Sequence, residues 1–515
     1  MIGCKLLDCT LRDGGYYTNW DFNRPVVDTY IEAFNDLPVD YLEVGYRSLP
    51  QDGYAGEYFY TPIPVLKRLR EESNKQLVVL VDEKNLPPED VEDLLGPCQG
   101  LVDLVRIAVK PRFFERALRL GEAVKRLGLG VSFNVMYMSE WANTEGLFDL
   151  MPRVNGLVDY LYLVDSYGSV FPQDVARTIE RLRTLTDVPL GFHGHNNMQM
   201  ALANTLQAID QGIDIVDATV TGMGRGAGNL KTELLLTVLN AKGHVDFDFN
   251  ALSKVVDPFR TLQHKHGWGT NLPYMVSGAN SIPQAQVMEW VTKRYYSFNS
   301  IIRELDNRSH GRKDNQKLPV LDFEHEKSYE GALIVGGGPS AVKHADAMQH
   351  FLKAHPDMVV IHASSKNALS FQEADNDQYF CLVGNEGYRM EEVFNSHTAQ
   401  GRCILPPFPR KMGTYIPSAL EDQAYELDCV TFTDEYIDSH TSLALQTALE
   451  LGIDTVFLTG YDGYAESEMG TKERDLFNEN ETLFRRASEA LETSLVSLTP
   501  TRYKEIEQAS IYTYI

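Results

Sequence analysis

Short apolar runs alternate with amphipathic segments through the first half of the chain. The strand-like runs are Cys4–Cys9, Tyr41–Val44, Gln76–Val81, Leu104–Val109, Gly130–Val135, Tyr160–Val164, Leu190–His193 and Ile215–Val220. Between them, Arg116–Leu127, Asp174–Leu185 and Met200–Gln211 carry apolar residues at helical spacing. Eight strands alternating with helices predict a (β/α)8 TIM barrel. An open doubly wound sheet would need a glycine-rich phosphate turn after its first strand, and Asp8–Gly15 does not supply one.

The pattern changes after the eighth run. Phe249–Thr292 reads as a helical extension, so residues 1–305 are expected to form the barrel with its extension. Residues 306–329 are polar, charged and aperiodic, which predicts a linker. From 330 to 515 strand-like and helical runs resume. Ala332–Val335, Met358–His362, Tyr379–Val383, Cys429–Phe432 and Thr455–Leu458 are the expected strands, with helices at Ala341–Ala354 and Ser442–Leu451. This second unit is expected to be a Rossmann-like α/β domain with a mostly parallel sheet.

Composition narrows the function classes. A chain of 515 residues exceeds what one core supports. Its formal charge of −25 argues against binding nucleic acid or an anionic membrane, but not against a small anionic substrate met by a few local arginines. The six cysteines form no Cys-x-x-Cys pair, which fits a reducing compartment without structural zinc. No apolar run reaches membrane-spanning length, and the first residues lack a signal-peptide pattern, so a cytoplasmic protein is expected.

The candidate chemistry collects at the carboxyl ends of the predicted strands, where barrel enzymes carry their active sites. His193 and His195 are two apart on a strand, so their imidazoles share a face and form half of a divalent-metal site. Taken alone, the pair could equally be a core or surface feature. Strand 1 ends in Thr10-Leu11-Arg12-Asp13-Gly14-Gly15, strand 2 in Leu42-Glu43-Val44-Gly45, and strand 6 in Asp165-Ser166. Strand 8 leads into Gly222-Met-Gly-Arg-Gly-Ala-Gly-Asn229. An ordinary solvated rim would not gather all of these.

Together these motifs resemble the DRE-TIM metallolyases, the superfamily of 3-hydroxy-3-methylglutaryl-CoA lyase, 4-hydroxy-2-oxovalerate aldolase and isopropylmalate synthase. The resemblance spans about residues 4–240. It implies that Asp13, His193 and His195 bind a divalent metal, with Asn229 as a further ligand. It also implies that Arg12 steadies an enolate oxygen and that Glu43 holds Arg12. Such roles suit carbon–carbon bond chemistry beside a ketone, because a cation and a guanidinium both stabilise the developing oxyanion. The mixed oxygen and imidazole donors favour Mn²⁺ or Mg²⁺, with Zn²⁺ as an alternative.

Two departures shape the expected activity. The glycine loop lacks the cysteine of the thioester lyases and carries Arg225 instead; Gly224, Arg225, Gly226 and Ser166 are expected to line the substrate site. Where the oxovalerate aldolases carry a histidine three residues after the strand 1 aspartate, this chain has Tyr16, a candidate acid or base. The expected activity is a metal-dependent aldolase acting on a 2-oxo acid and an aldehyde, in a homo-oligomer. A Claisen-type acyl-CoA synthase and a non-catalytic barrel scaffold are the alternatives.

In the second unit, Gly336-Gly337-Gly338-Pro339-Ser340 with Gly460-Tyr461-Asp462 loosely resembles sialyltransferase-like and pterin-diphosphokinase-like domains. That resemblance implies a nucleotide or diphosphate ligand at Gly336, Gly337, Gly338, Ser340 and Asp462. The full Gly-x-Gly-x-x-Gly spacing is missing, and an accessory or dimerisation domain is the alternative.

Overall fold

Eight parallel strands close into a barrel in chain order: β1 (Lys5–Asp8), β2 (Tyr41–Tyr46), β3 (Gln76–Asp82), β4 (Leu104–Val109), β5 (Gly130–Val135), β6 (Tyr160–Asp165), β7 (Leu190–Gly194) and β8 (Ile215–Ala218). The computed structural model describes residues 3–293, 297–311, 317–321, 328–395, 399–410, 414–464, 471–490 and 495–515. The barrel strands are near-continuous apolar runs because both of their faces are buried. Outward residues such as Leu42, Val79, Val105 and Phe133 join the cluster formed with the surrounding helices. Leu7, Tyr41, Val78, Leu104, Tyr160, Tyr162 and Ile215 form a separate cluster that fills the barrel interior. At the amino-terminal end, the Lys5 ammonium donates to the hydroxyls of Tyr160 at 3.1 Å and Tyr41 at 3.3 Å.

Two local departures from the expected strands position the site. β2 runs two residues further and carries a register shift against β3 between Glu43 and Gly45. Gly45 sits at φ +157 and its missing Cβ would collide with the Tyr58 carbonyl, so this irregularity requires glycine. β8 is shorter than predicted. Its chain turns at Val220–Gly222, with Thr221 in the left-handed region at φ 54.

The two compact units are Met1–Glu289 and Trp290–Ile515. Residues 305 and 306, the expected end of the first domain, both lie inside the helix Phe298–Ser309. The expected linker at 306–329 lies partly outside the described residues.

The second unit holds one parallel sheet of β9 (Gly331–Val335), β10 (Met358–His362), β11 (Gln378–Cys381), β12 (Arg402–Leu405), β13 (Ala424–Glu426), β14 (Val456–Thr459), β15 (Leu495–Ser497) and β16 (Glu507–Gln508). Their order is β13-β12-β11-β10-β9-β14-β15-β16, so the chain builds outward from β9 in both directions. Alternation along β9 assigns its faces: Ala332 and Ile334 pack with Leu443 and Leu483, whereas Leu333 and Val335 pack with Met348 and Phe351. Cys429–Phe432, expected as a strand, is irregular; the edge strand is Ala424–Glu426, which the apolar pattern does not reveal.

A chain ending at Lys293, where the helix from Gln284 ends, is expected to melt in one cooperative transition. A broad transition by calorimetry would show that the barrel needs the second unit to complete its core.

Candidate active site

The floor of the site begins with one buried carboxylate. Asp8, the last residue of β1, accepts from the Thr10 N–H at 2.9 Å, the Thr10 hydroxyl at 2.6 Å and Tyr30 at 2.7 Å. Thr232 also donates to it. Burial pushes this carboxyl up to about 6, against the pull of those hydrogen bonds. The Thr10 hydroxyl in turn accepts from the Val220 N–H at 2.8 Å. The turn after β1 is thereby fastened to the turn after β8. It forms the short helix Thr10–Asp13, which carries Arg12 and Asp13 side by side.

Arg12 donates through Nε to Glu43 at 2.7 Å and through a terminal nitrogen to Asp13 at 2.6 Å. Glu43 is fully buried and also faces Arg106 at 3.3 Å. Arg106 lies across the barrel interior, donating to Asp217 at 2.6 Å and to Asn134 at 3.0 Å, with its guanidinium 4.2 Å from the Tyr162 ring centre. Asp217 then meets His193 Nδ1 at 2.8 Å. A continuous buried ladder therefore joins Asp13 to His193 through Arg12, Glu43, Arg106 and Asp217. Burial opposes the charge on Asp13, but Arg12 and the two histidines outweigh it and hold the carboxyl at about 2. Burial likewise opposes ionisation of Asp217, and Arg106 overcomes it to keep that carboxyl below its ordinary range.

The donor set fits a divalent cation. One ligand atom each from Asp13, His193 and His195 lies within 4.8 Å of the others. His195 Nδ1 donates to the Asp165 carbonyl at 2.8 Å, and His193 Nδ1 donates to the Asp217 carboxylate. Both rings are thus left with an Nε2 lone pair, and that of His193 stands 3.6 Å from an Asp13 oxygen. Burial, then the neighbouring His193, lowers His195 to about 4, so this imidazole is neutral near pH 7. Asn229 donates to Asp13, and its own carbonyl oxygen is buried without a partner among the described residues. The two imidazole lone pairs and the Asp13 carboxylate converge, an arrangement that a cation relieves. Cys9, His193 and Asp217 form a second cluster of possible ligands. It is a poorer site, because Asp217 is engaged by Arg106 and burial raises the Cys9 thiol well above its ordinary range.

Above this floor lies a cavity of about 170 Å³. Arg12, Asp13, Tyr16, His193, His195, Ser166 and Arg225 all border it. Tyr16 shares a 3.0 Å hydrogen bond with the Tyr46 hydroxyl, and the Arg225 guanidinium lies 4.0 Å from the Tyr16 ring centre. Gly224 and Gly226 do not border the cavity. A Cβ on Gly224 would meet Asn229 Nδ2 at 2.6 Å, and one on Gly226 would meet Gln284 at 2.6 Å. Their role is to let the loop close over Asn229 and Gln284. His264 is exposed, and neither it nor His266 belongs to a metal-type cluster among the described residues.

The motif reading missed Tyr46, Asn134, Asp217 and Gln284. A carboxylate within the buried run Ile215–Ala218 was the available signal for Asp217. Gln284 had none. Its side-chain amide donates to Asn197 Oδ1 at 2.6 Å and to the Ser166 backbone carbonyl at 3.3 Å, which brings Pro283 and Ala285 to the cavity mouth.

Comparison with known proteins agrees with this geometry. The HMGL-like family profile matches residues 109–257. Oxaloacetate decarboxylase of Mycobacterium tuberculosis is 33% identical over 248 residues, 47% of this chain and 73% of that protein. A 4-hydroxy-2-oxovalerate aldolase of Geobacillus thermodenitrificans is 32% identical over 247 residues, 46% of this chain and 70% of that protein. A crystallised N-terminal domain from Bacteroides vulgatus aligns with a TM-score of 0.56 and 55% identity, covering 58% of this chain and 99% of that one. The fold and these similarities define a metal-dependent lyase built on a TIM barrel. The chain belongs to the HMGL-like family. No helix among the described residues is long and apolar enough to cross a membrane.

His195→Ala is expected to lose bound metal while Arg12→Ala retains it, as measured by elemental analysis after dialysis. Protonation of His195, which titrates at about 4 in the metal-free site, removes a ligand, so metal content should fall as the pH is lowered from 7 to 4. Arg106→Leu should destabilise the protein by about 3–5 kcal/mol in denaturant titration, because Glu43 and Asp217 would stay buried without it.

Proposed function

We propose that the barrel makes or breaks the carbon–carbon bond beside the ketone of a pyruvate-class 2-oxo acid, through an enolate. The observation that carries this reading is the pairing of Arg12 with Asp13 and Glu43 beside the two imidazole lone pairs. A Mn²⁺ or Mg²⁺ ion held by Asp13, His193, His195 and Asn229 would supply Lewis acidity toward the ketone oxygen.

The protein's own groups do the rest. Glu43 fixes the Arg12 guanidinium, which points a preorganised donor at the cavity and meets negative charge as it develops on the ketone oxygen. Arg225 offers a second cation on the cavity wall for a substrate carboxylate. Tyr16, hydrogen-bonded to Tyr46, is placed to hold or move the proton of the aldol hydroxyl. A cavity of about 170 Å³ suits a 2-oxo acid with a short aldehyde. Arg225 also favours a second reading, decarboxylation of a 2-oxo dicarboxylate, in which it would face the second carboxylate.

Incubation of the Mn²⁺-loaded protein with pyruvate in D₂O should exchange the methyl protons, read by NMR. Arg12→Ala should slow that exchange by about a hundredfold or more, equivalent to about 3 kcal/mol. Tyr16→Phe should spare exchange and impair cleavage of a 4-hydroxy-2-oxo acid. Absence of exchange in metal-loaded protein would overturn the pyruvate enolate reading. Faster carbon dioxide release from oxaloacetate than aldol cleavage would select the second.

A further inference from the structure

The second unit has a cavity of about 410 Å³ at the carboxyl ends of β9, β10 and β14. The chain builds away from β9 in opposite directions there, the place where open α/β sheets receive ligands. Gly336–Gly338 follow β9, Ala363 and Ser364 follow β10, and Gly460–Asp462 follow β14.

The three glycines after β9 are not equivalent. A Cβ on Gly336 would meet the Gly460 carbonyl at 2.6 Å, and one on Gly338 would collide with Asp462. Packing against the turn after β14 accounts for both. Their N–H groups are also engaged, Gly336 with the Thr459 carbonyl at 2.8 Å and Gly338 with the Gly460 carbonyl at 2.7 Å. Gly337 differs in each respect. Its backbone is not in the left-handed region, and a Cβ there would stand in ordinary contact, 3.4 Å from Ser364 Oγ and 3.9 Å from Lys366 Cδ. Among the described residues its N–H has no hydrogen-bond partner. Neither packing nor conformation requires glycine at 337, whereas close approach of a ligand to its backbone would.

The polar groups around Gly337 give that ligand its chemistry. Glu386 is buried, and its charge is matched by Arg389 at 3.0 Å and faced by His440 at 3.6 Å. Asp462 accepts from Ser340, whose hydroxyl also reaches Thr499. Ser340 is thereby turned to the protein and does not border the cavity. Lys366 is exposed, and no partner for its ammonium is found among the described residues. Among the described residues the Ser364 hydroxyl makes only long hydrogen bonds, 3.3 Å each, to Glu386 and from the Lys366 N–H. The Gly337 backbone, the Ser364 hydroxyl and the Lys366 side chain thus border the crevice together on its β10 side. This set of donors suits a phosphate group.

We infer that this crevice binds a phosphate ester, with the phosphate held by the Gly337 N–H, Ser364 and Lys366, and not by Ser340. The cavity is much larger than a phosphate. Tyr461, Tyr503 and Asn480 border the remaining space, and Asp462 presents an acceptor for a ligand hydroxyl.

Calorimetric titration of the full-length protein with ADP, glucose 6-phosphate and inorganic phosphate tests this directly. At least one ester should bind more tightly than inorganic phosphate, and the preferred ester identifies a nucleoside or a sugar phosphate. Gly337→Ala and Lys366→Ala should each weaken that binding by about tenfold or more. Both should keep the unliganded melting temperature and the barrel's pyruvate exchange, because neither change crowds its surroundings. Failure of both esters to bind, equal binding by the variants, or inorganic phosphate binding as tightly as the esters would overturn the inference.

Discussion

Burial of Arg106 across the barrel interior is the constraint on which the active site depends. A guanidinium so deeply buried is tolerable only with carboxylates on both sides, and Glu43 and Asp217 are those partners. Each partner has a second obligation. Glu43 orients Arg12, and Asp217 sets the tautomer of His193. Arg12 and the face formed by Asp13 and His193 are thus held by one ionic ladder. Its carboxylates, Asp13, Glu43 and Asp217, outnumber its guanidiniums, Arg12 and Arg106, so a divalent cation would also improve its charge balance.

Below the ladder the barrel is an ordinary apolar core. Above it, loops supply Tyr16, Tyr137, Arg225 and Ala285. On the proposed reading, the strand ends would carry the carbon–carbon chemistry and the rim would select the substrate.

Much of this was legible in the chain. Doubly buried parallel strands make short apolar runs, so all eight barrel strands could be read within a few residues. Arg12, Asp13, His193 and His195 could be read because each pair is local: adjacency or alternation places the two side chains together. Arg106 and Asp217 are 111 positions apart, and only closure of the barrel joins them. Tyr46 reaches the cavity from a β2 that runs past its predicted end, beyond the register shift at Gly45. In the second unit, strands of two to four residues, such as Ala424–Glu426, are too brief for a pattern, while the apolar run Cys429–Phe432 formed no strand.

The fastening of the turn after β1 to the turn after β8 has a consequence for redesign. Asp8, Thr10 and Thr232 clamp the seam where the first and last strands meet, and the residues beside that seam carry the reactive groups. A protein engineer wishing to change the acceptor would leave the seam intact and diversify the far wall, at Met136, Tyr137, Pro283 and Ala285. Those positions lie outside the ionic ladder, so a library there could search for new selectivity without dismantling the reactive centre.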